Sequence, residues 1–267
     1  MSNTNISVKL IKHSVSEQGK HIYTFECIYP RFVHSEVMTH RAFSRNASSS
    51  RAIPINKLAY EAIKNPVEFT YWGKNKKGMS AKEELSGIRL SLAKLVWRAT
   101  AKLCGYSALL LSYLGLHKQN ANRMLEPFTR IKLLITATEL NNFFVLRDHE
   151  AAQPEIRVLA QEMKKAIAKS TPQLLKKGEW HLPYVDSKSI DLRETSAALC
   201  AQVSFRALDD NEDKLKRIYK TLILDRPVHA SPTEHQATPL DNPDARDANF
   251  VGWAQHRSAI EYNVILG

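Results

Sequence analysis

Apolar and polar residues alternate along two stretches near the N-terminus. Residues 6–13 and 21–29 follow this pattern and are rich in β-branched and aromatic side chains, and the polar segment 17–20 lies between them. Alternation of this kind is typical of strands, so the two stretches predict a β-hairpin or two adjacent strands. Pro30 ends the second strand, and we expect a short helix over residues 31–38.

A helical period begins further along the chain. Residues 55–64 predict one helix, and residues 80–116 predict a long one. In the long helix, apolar side chains recur at steps of three and four residues: Ile88, Leu92, Leu95, Val96, Ala99 and Leu103. A stripe of this kind is expected to pack in the protein core. Ser80 and Glu83 have the spacing of a capping box at its start, and Gly105 is expected to kink or divide it.

The second half of the chain continues the helical pattern. Residues 117–170 predict two or three helices, with breaks at Pro127 and near residues 151–154. Helical periods return over residues 188–205 and 211–224. The N-terminal strands and these helices together predict an α/β protein.

The last part of the chain differs in composition from the rest. Residues 226–247 are rich in proline and aspartate, which favours a loop, and residues 249–266 predict one or two strands. Asn211 is the expected N-cap of the helix that precedes this part. We find no internal repeat, and we expect a single domain over residues 1–267.

The composition is that of a globular protein with a basic surface. The chain has 267 residues, 43% of them hydrophobic and 24% charged, and a formal net charge of +11. This charge favours anionic partners, namely nucleotides, nucleic acid, polyglutamate-bearing cofactors or acidic lipid. No apolar run reaches the ~20 residues of a membrane-spanning helix. Three widely spaced cysteines indicate a reducing compartment and no disulfide framework, so we expect a cytoplasmic protein without a membrane segment.

The chemistry of the chain is concentrated in residues 39–51, which read THRAFSRNASSSR. This stretch contains three arginines and four serines, and it predicts the end of a short helix followed by a loop. Guanidinium groups beside hydroxyls and backbone N–H groups suit the binding of a phosphate and of the edge of a ring. A solvated basic loop is the simpler alternative.

Several common kinds of active site are absent from the sequence. There is no G-x-G-x-x-G fingerprint and no P-loop, which argues against a dinucleotide-binding turn. His229 and His235 are separated by Pro232 and do not form a helical metal pair, so no metal is expected. Cys27 lies in a predicted strand, and the other two cysteines lie in apolar helices, so a catalytic thiolate is not expected. Ser49 has no general base beside it in the sequence.

Three blocks of the sequence resemble the flavin-dependent thymidylate synthases (ThyX). Residues 39–51 match every fixed position of the signature R-H-R-x-x-S-x-N-x-x-S-x-R except the first, where Thr39 stands. Residues 140–160 resemble the segment F-L-x-L-R-x-x-x-x-A-Q-x-E-I-R and place Arg147 in it. Residues 120–127 resemble the stretch in which an arginine precedes L-x-P, and that arginine is Arg123.

Two further segments resemble this family but stand in an unusual order. Residues 200–205 and 229–239 resemble the family segments A-R-V-S-F and H-x-x-P-F-E-H, which normally precede the signature. Residues 21–41 resemble the strand and helix that normally follow them. This order indicates a circular permutation or an equivalent rearrangement, which proteins tolerate when their termini lie close together.

The resemblance implies an α+β fold with an antiparallel or mixed sheet packed against long helices. It also implies a homotetramer with active sites between subunits, bound FAD, and conversion of dUMP to dTMP. NADPH would supply the electrons, methylenetetrahydrofolate would supply the carbon, and no enzyme nucleophile would be required. The residues implied to bind dUMP, with Ser49 and Arg147 also at the catalytic centre, are Glu36, Arg41, Ser48, Ser49, Ser50, Arg51, Arg123 and Arg147. The residues implied to contact the flavin are His40, Arg41, Ser44, Asn46, Asn142 and His229.

The sequence departs from the family pattern at five positions. Thr39 replaces an arginine associated with the flavin, and Glu36 stands where glutamine is common. Ala47 replaces a residue that is often acidic. Thr136 stands where Asn is common, and Thr138 stands where Arg is common. These changes affect the flavin side more than the nucleotide side. Two alternatives therefore stay open, namely a relative that hydroxymethylates a pyrimidine nucleotide and a basic nucleic-acid-binding protein, although no strand alternates aromatic and basic residues as the latter would favour.

Overall fold

The structure is a computed structural model that describes residues 5–204 and 208–265. Its strands are β1 (Ser7–Ser16), β2 (His21–Pro30), β3 (Ser44–Ala47), β4 (Arg130–Ala137), β5 (Gln173–Leu175), β6 (Ala237–Pro239), β7 (Arg246–Asp247), β8 (Phe250–Val251) and β9 (Trp253–Gln255). Its α-helices are α1 (His34–Met38), α2 (Ile55–Lys64), α3 (Gly87–Tyr113), α4 (Lys118–Ala121), α5 (Asn141–Arg147), α6 (Pro154–Ala168), α7 (Arg193–Ala201), α8 (Glu212–Tyr219) and α9 (His256–Ile265). No helix in these residues is long and apolar enough to cross a membrane.

The centre of the fold is a five-stranded mixed sheet. Its strand order is β3-β4-β2-β1-β5, and only the β1–β5 pair is parallel. The predicted hairpin is confirmed, because β1 and β2 pair directly. The predicted fold class, a mixed sheet packed against helices, is confirmed as well.

Two strands of the sheet contradict the sequence prediction. We expected residues 130–137 to be helical, but they form β4, which pairs with β2 on one side and β3 on the other. Its run of five buried residues has no clear period, and a short apolar run does not distinguish a central strand from a buried helix. Residues 44–47 were expected to be loop and form β3, because pairing with β4 overrides their weak local preference.

One face of the sheet carries the main hydrophobic core. Phe25 and Ile135 lie on this face and pack with Phe143 of α5 and with Leu159 and Met163 of α6, all of them buried. Burial of side chains this large contributes about 1.5–3 kcal/mol each, so this cluster fixes α5 and α6 on the sheet. Arg147, the last residue of α5, is positioned through this packing.

The other face of the sheet is joined to the C-terminal part of the chain by buried hydrogen bonds. His181 contacts Ser14 Oγ through Nδ1 (2.9 Å) and Thr24 Oγ1 through Nε2 (2.8 Å). Thr24 Oγ1 contacts Thr136 Oγ1 (2.7 Å), which contacts His235 Nδ1 (2.9 Å). Burial lowers the pKa of both histidines, that of His235 to about 3, so both rings are neutral near pH 7. His181 and His235 thereby hold the C-terminal part of the chain against β1, β2 and β4.

The long helix α3 differs from its prediction at its start and in its middle. It begins at Gly87 rather than near Ser80, and Glu83 pairs with Lys74 at 2.7 Å instead of capping the helix. Gly105 does not divide it, because α3 runs unbroken through this position. A Cβ atom at position 105 would lie 2.4 Å from Ile63 Cγ1, so glycine is required there for the close approach of α2.

The apolar stripe of α3 was expected to be core, and this expectation is wrong. The residues that pack inward are small: Ala101, Gly105 and Ala108. The exposed fractions of Ile88, Leu92, Leu95, Val96 and Leu103 lie between 54% and 79%. A helical period identifies an apolar face but does not show whether that face meets the core or another surface.

The C-terminal part confirms some predictions and corrects others. Asn211 caps α8 as expected, because its Oδ1 accepts from Lys214 N at 3.0 Å. The helical prediction for residues 188–205 is confirmed over α7, and residue 205 lies outside the described residues. The predicted strands at the C-terminus end at Gln255, and α9 follows where we expected strand.

Candidate active site

Residues 39–51 contain the edge strand β3 of the sheet and the turns on either side of it. They begin in the turn after α1, continue as β3, and end in a turn before α2. The side chain of Asn122 fixes this second turn, since its Nδ2 donates to Ser50 O (2.7 Å) and Ile53 O (3.0 Å). The two ends of the segment line two different cavities.

The first cavity, which we name the Arg147 cavity, has a volume of about 360 Å³. Its lining includes three of the residues implied to contact the flavin (His40, Arg41 and Asn142), together with Arg147. Phe43 and Phe143 contribute aromatic surface to its wall. The cavity therefore combines planar apolar surface with positively charged and amide donors, which suits an anionic molecule that contains a ring.

Arg147 is held by hydrogen bonds on the α1 side of this cavity. Its Nε donates to His40 Nε2 at 2.8 Å, and its Nη2 donates to Thr39 Oγ1 at 3.2 Å. Burial, with Arg147 and Arg45 nearby, lowers the pKa of His40 to about 4. The ring is therefore neutral near pH 7 and its Nε2 can accept the bond, which leaves the proton on Nδ1. Thr39, the departure from the family signature, thus supports Arg147.

The second cavity, which we name the serine cavity, has a volume of about 470 Å³. It is lined by Ser48, Ser49, Ser50 and Arg123, as the sequence analysis grouped them. Ser50 Oγ and Arg123 Nη1 both donate to Glu126 Oε1 at 2.8 Å. Ser49 N donates to Ser204 Oγ at 3.3 Å. Four of the eight residues implied to bind dUMP therefore share one cavity.

Three ionisable residues that line the serine cavity were not identified from the sequence: Arg31, His34 and Glu126. Arg31 follows directly on the end of β2, and a lone arginine beside a buried strand was the available signal for it. His34 Nδ1 contacts the hydroxyl of Tyr29 at 2.8 Å, and burial together with Arg31 lowers the pKa of His34. No sequence signal marks Glu126 as part of this group.

Several predicted site residues lie elsewhere. Ser44 is fully buried and accepts from Gln255 Nε2 at 2.9 Å, and Asn46 Nδ2 donates to Cys200 O at 2.8 Å. Their side chains hold the C-terminal part of the chain and do not line either cavity. Arg51 is exposed and lines neither cavity, and the same holds for His229. The grouping of Ser44, Asn46 and His229 with His40 is therefore not found within one chain.

A third cavity, of about 560 Å³, meets the Arg147 cavity at Arg147, which lines both. Its wall also carries Glu36, Phe69 and Tyr71. One carboxylate oxygen of Glu36, Oε2, is buried without a hydrogen-bond partner among the described residues. Burial raises the pKa of Glu36, and Arg147 opposes this shift. Glu36 and Arg147 thus share a cavity, as the implied substrate site requires.

The sequence itself matches a known family over these residues. The model of the family described as thymidylate synthase complementing protein matches residues 3–173. The chain belongs to this family. The match covers β1 to β4 and the residues of all three cavities, and it ends at the first residue of β5, whereas the C-terminal partners Cys200, Ser204 and Gln255 lie outside it.

Two solved structures are similar to parts of this family member. One is a UMP/dUMP methylase, PolB, from Streptomyces cacaoi bound with 5-Br UMP, at 19% identity and a TM-score of 0.48, covering 62% of this chain and 89% of that chain. The other is ThyX from Helicobacter pylori complexed with FAD and dUMP, at 21% identity and a TM-score of 0.38, covering 55% of this chain and 67% of that chain. No curated protein matches the sequence.

The family implies a flavin, and the described residues fit it in part. His40, Arg41 and Asn142 line one cavity with aromatic walls, which is a fitting donor set for a ring that carries a phosphate. Ser44 and Asn46 do not fit, because their polar atoms are engaged by Gln255 and Cys200. A flavin site in this protein would therefore rely on the ends of the signature rather than on β3.

Two of the three cysteines offer no nucleophile for this family member. Cys27 and Cys200 are buried, and burial raises the pKa of both thiols. A thiol with a raised pKa carries almost no thiolate near pH 7. Neither group can therefore attack a substrate ring as a thiolate.

Proposed function

We propose that this protein is a flavin-dependent thymidylate synthase that converts dUMP to dTMP. Methylenetetrahydrofolate would supply the carbon, and NADPH would supply electrons through FAD. Membership of the family supports this proposal. Seven of the eight implied nucleotide-binding residues, all except Arg51, also line one of the three cavities.

The observation that carries the proposal is the position of Arg147 between two cavities. The C5 atom of a pyrimidine ring attacks an electrophilic carbon most readily when negative charge lies on the ring. A guanidinium stays protonated at any physiological pH and stabilises such charge most strongly where it is held in place beforehand. The bonds from Arg147 to His40 and Thr39 supply that fixed position.

His40, Arg41 and Asn142 are the residues that would hold the flavin in this chain. When bound, the flavin would supply the hydride that completes the methyl group. His40 accepts a hydrogen bond from Arg147, so its remaining ring N–H, on Nδ1, is the atom available as a donor. Arg41 is exposed and is free to pair with a phosphate.

A second candidate function is transfer of a hydroxymethyl group to the C5 position of a pyrimidine nucleotide. Thr39 and the inward-facing Ser44 and Asn46 favour it, because each removes a contact that the family pattern assigns to the flavin. In this reaction the methylene carbon of the folate and the oxygen of water form the hydroxymethyl group, and the C5 hydrogen leaves as a proton. No reductant is consumed.

We also propose that copies of this chain associate through α3, in line with the homotetramer that the resemblance implies. Eight large apolar side chains of α3 are more than half exposed: Ile88, Leu92, Leu95, Val96, Leu103, Tyr106, Leu110 and Tyr113. At 3.6 residues per turn they all fall within an arc of about 100°. Side chains of this size expose roughly 100 Å² each, so the patch exceeds the ~300–600 Å² that is usual on a monomer.

The charges on α3 favour an antiparallel pair of helices. Its basic residues lie in the first part of the helix (Arg89, Lys94, Arg98 and Lys102), and residues 103–116 contain no charged residue. An antiparallel arrangement places the basic part of one copy beside the uncharged part of the other, whereas a parallel one would oppose like charges. The same patch can therefore serve both partners of a two-fold interface.

The flavin part of the proposal is tested by titration of the purified protein with FAD. We expect the protein to take up FAD and the flavin absorption band near 450 nm, about the usual value for oxidised flavins, to bleach when NADPH is added. A protein that takes up no FAD at any concentration tested would exclude flavin chemistry and leave the hydroxymethyl transfer as the candidate.

A further inference from the structure

Arg31 is a half-buried arginine whose guanidinium has few hydrogen-bond partners among the described residues. It begins a short 3-10 turn directly after β2, and its backbone N–H donates to Thr129 O at 3.0 Å. Its Nε is buried without a hydrogen-bond partner among the described residues, and its Nη2 reaches only Ser48 O, at 3.5 Å. A guanidinium has five N–H donors, and burying one without an ion pair is costly.

The side chain of Arg31 lies on the wall of the serine cavity. Burial lowers the pKa of Arg31, but Glu126 and Glu61 oppose this shift and the group stays protonated. The same wall carries the Ser48–Ser50 segment and Arg123. Positive charge and hydroxyl donors thus converge on a cavity whose volume, about 470 Å³, admits a nucleotide phosphate and its sugar.

Glu126 occupies two of the donors on this wall. Its Oε1 accepts from both Ser50 Oγ and Arg123 Nη1. The Arg123–Glu126 pair is exposed, with 57% and 31% of the side-chain surfaces accessible, and exposed pairs are weak. Arg123 can therefore exchange this carboxylate for a stronger anion, whereas Arg31 forms no ion pair with a carboxylate within residues 5–204 and 208–265.

The geometry points to Arg31 as the fixed phosphate-binding residue of the serine cavity, with Glu126 as an internal competitor that a phosphomonoester displaces from Arg123 and Ser50. A phosphomonoester carries close to two negative charges and three acceptor oxygens, and it can accept hydrogen bonds from the Nη atoms of Arg31 on the cavity wall. This inference rests on the proposed function only for the identity of the nucleotide.

The decisive variant is Arg31→Met, which keeps an apolar stem in the same space and removes the guanidinium. Affinity for dUMP and for deoxyuridine is measured by calorimetry, and Arg89→Met, at an exposed position on α3, is the control for loss of one positive charge. We expect dUMP affinity to fall roughly 10- to 100-fold, as for a lost hydrogen bond to a charged group, while deoxyuridine affinity is unchanged.

Thermal unfolding without ligand separates a binding role from a structural one. A guanidinium kept for a ligand costs stability in the free protein, so the melting temperature of Arg31→Met should equal or exceed that of the wild type. A lower melting temperature together with unchanged dUMP affinity would overturn the inference. An equal loss of affinity for dUMP and deoxyuridine would overturn it too, because the effect would not concern the phosphate.

Inorganic phosphate distinguishes failure of this inference from failure of the proposed function. If the wild type binds no pyrimidine nucleotide, but inorganic phosphate raises its melting temperature at matched ionic strength and Arg31→Met abolishes that rise, the phosphate site stands and the proposed function falls. If dUMP binds equally well to the wild type and Arg31→Met, the inference about Arg31 falls and the proposed function is unaffected. If Arg31→Met does not fold, Arg31→Lys takes its place in these measurements. Arg31→Lys keeps the charge without the fork of donors, so it should retain only part of the dUMP affinity.

The competitor role of Glu126 has its own variant. Glu126→Gln removes the charge that holds Arg123, so dUMP affinity should rise roughly two- to fivefold, the range expected for release of an exposed ion pair. Glu212→Gln, which breaks an exposed pair with Lys216 on α8, is the matched control and should leave affinity unchanged. Weaker dUMP binding by Glu126→Gln would contradict the competitor role.

Discussion

Arg147 shows how single residues of this protein prepare a binding site. Arg147 is the last residue of α5. Its Nε donates a hydrogen bond to the neutral ring of His40, and one Nη donates to Thr39 Oγ1. These contacts fix its plane, and they leave donors on the walls of two cavities. Fixing a charged donor before the substrate arrives reduces the cost of reorganisation in the reaction.

This arrangement predicts the effect of Arg147→Ala. We expect dUMP affinity to fall roughly 10- to 100-fold, since a charge-assisted hydrogen bond is lost. The pKa of His40 should rise above about 4, because the positive charge beside its ring is removed, and NMR titration of the ring can follow this change. Arg98→Ala, which removes an arginine of α3 paired with Glu68, is the matched control. Unchanged dUMP affinity in Arg147→Ala would show that Arg147 does not bind the nucleotide.

At the scale of residues, the sequence predicts a group better when its members are close in the chain. Ser48, Ser49 and Ser50 line one cavity because they are consecutive in the chain, and Arg123, which the sequence motif implied as their neighbour, lines it too. Ser44 and Asn46 stand only a few positions away, but the alternation of strand β3 turns them toward Gln255 and Cys200. Partners more than 150 residues away in the chain decided their role, and no local pattern encodes such partners.

At the scale of elements, α3 carries two faces with different purposes. Its small residues, Ala101, Gly105 and Ala108, allow close packing on α2, and its large apolar residues point away from the described core. The periodicity predicted the helix correctly and its orientation wrongly. A helix that packs with small side chains can reserve the large ones for another copy of the chain, and the helical period is the same in either case.

The exposed face of α3 predicts the behaviour of Leu103→Lys. The antiparallel pair places position 103 beside the basic part of the other copy, so a lysine there opposes like charges within an apolar interface, and this variant should have a lower molar mass than the wild type in light scattering after size exclusion. Ser91→Lys adds the same charge to an exposed position outside the stripe and is the matched control. Equal molar masses for the wild type and Leu103→Lys would show that α3 is not the interface.

At the scale of the molecule, the last third of the chain packs on a sheet whose five strands all lie within residues 7–175. His181 and His235 contact Thr24 and Thr136 on the sheet face opposite the main core, and Ser204 reaches the signature segment at Ser49. The strands β1 and β2 and the helices α2, α3, α7 and α8 followed from their periods. The strand β4, the helix α9 and these long-range contacts did not, because they depend on which parts of the chain meet after folding.

The central claim is that the two ends of the signature serve one reaction on a pyrimidine nucleotide. The most direct test is incubation of the purified protein with dUMP labelled with tritium at C5, together with FAD, NADPH and methylenetetrahydrofolate. The account predicts release of tritium to water and a product heavier than dUMP by one CH2 unit, with both results lost when NADPH or the folate is omitted. Retention of tritium in unchanged dUMP under complete conditions, with the protein loaded with FAD, would contradict it.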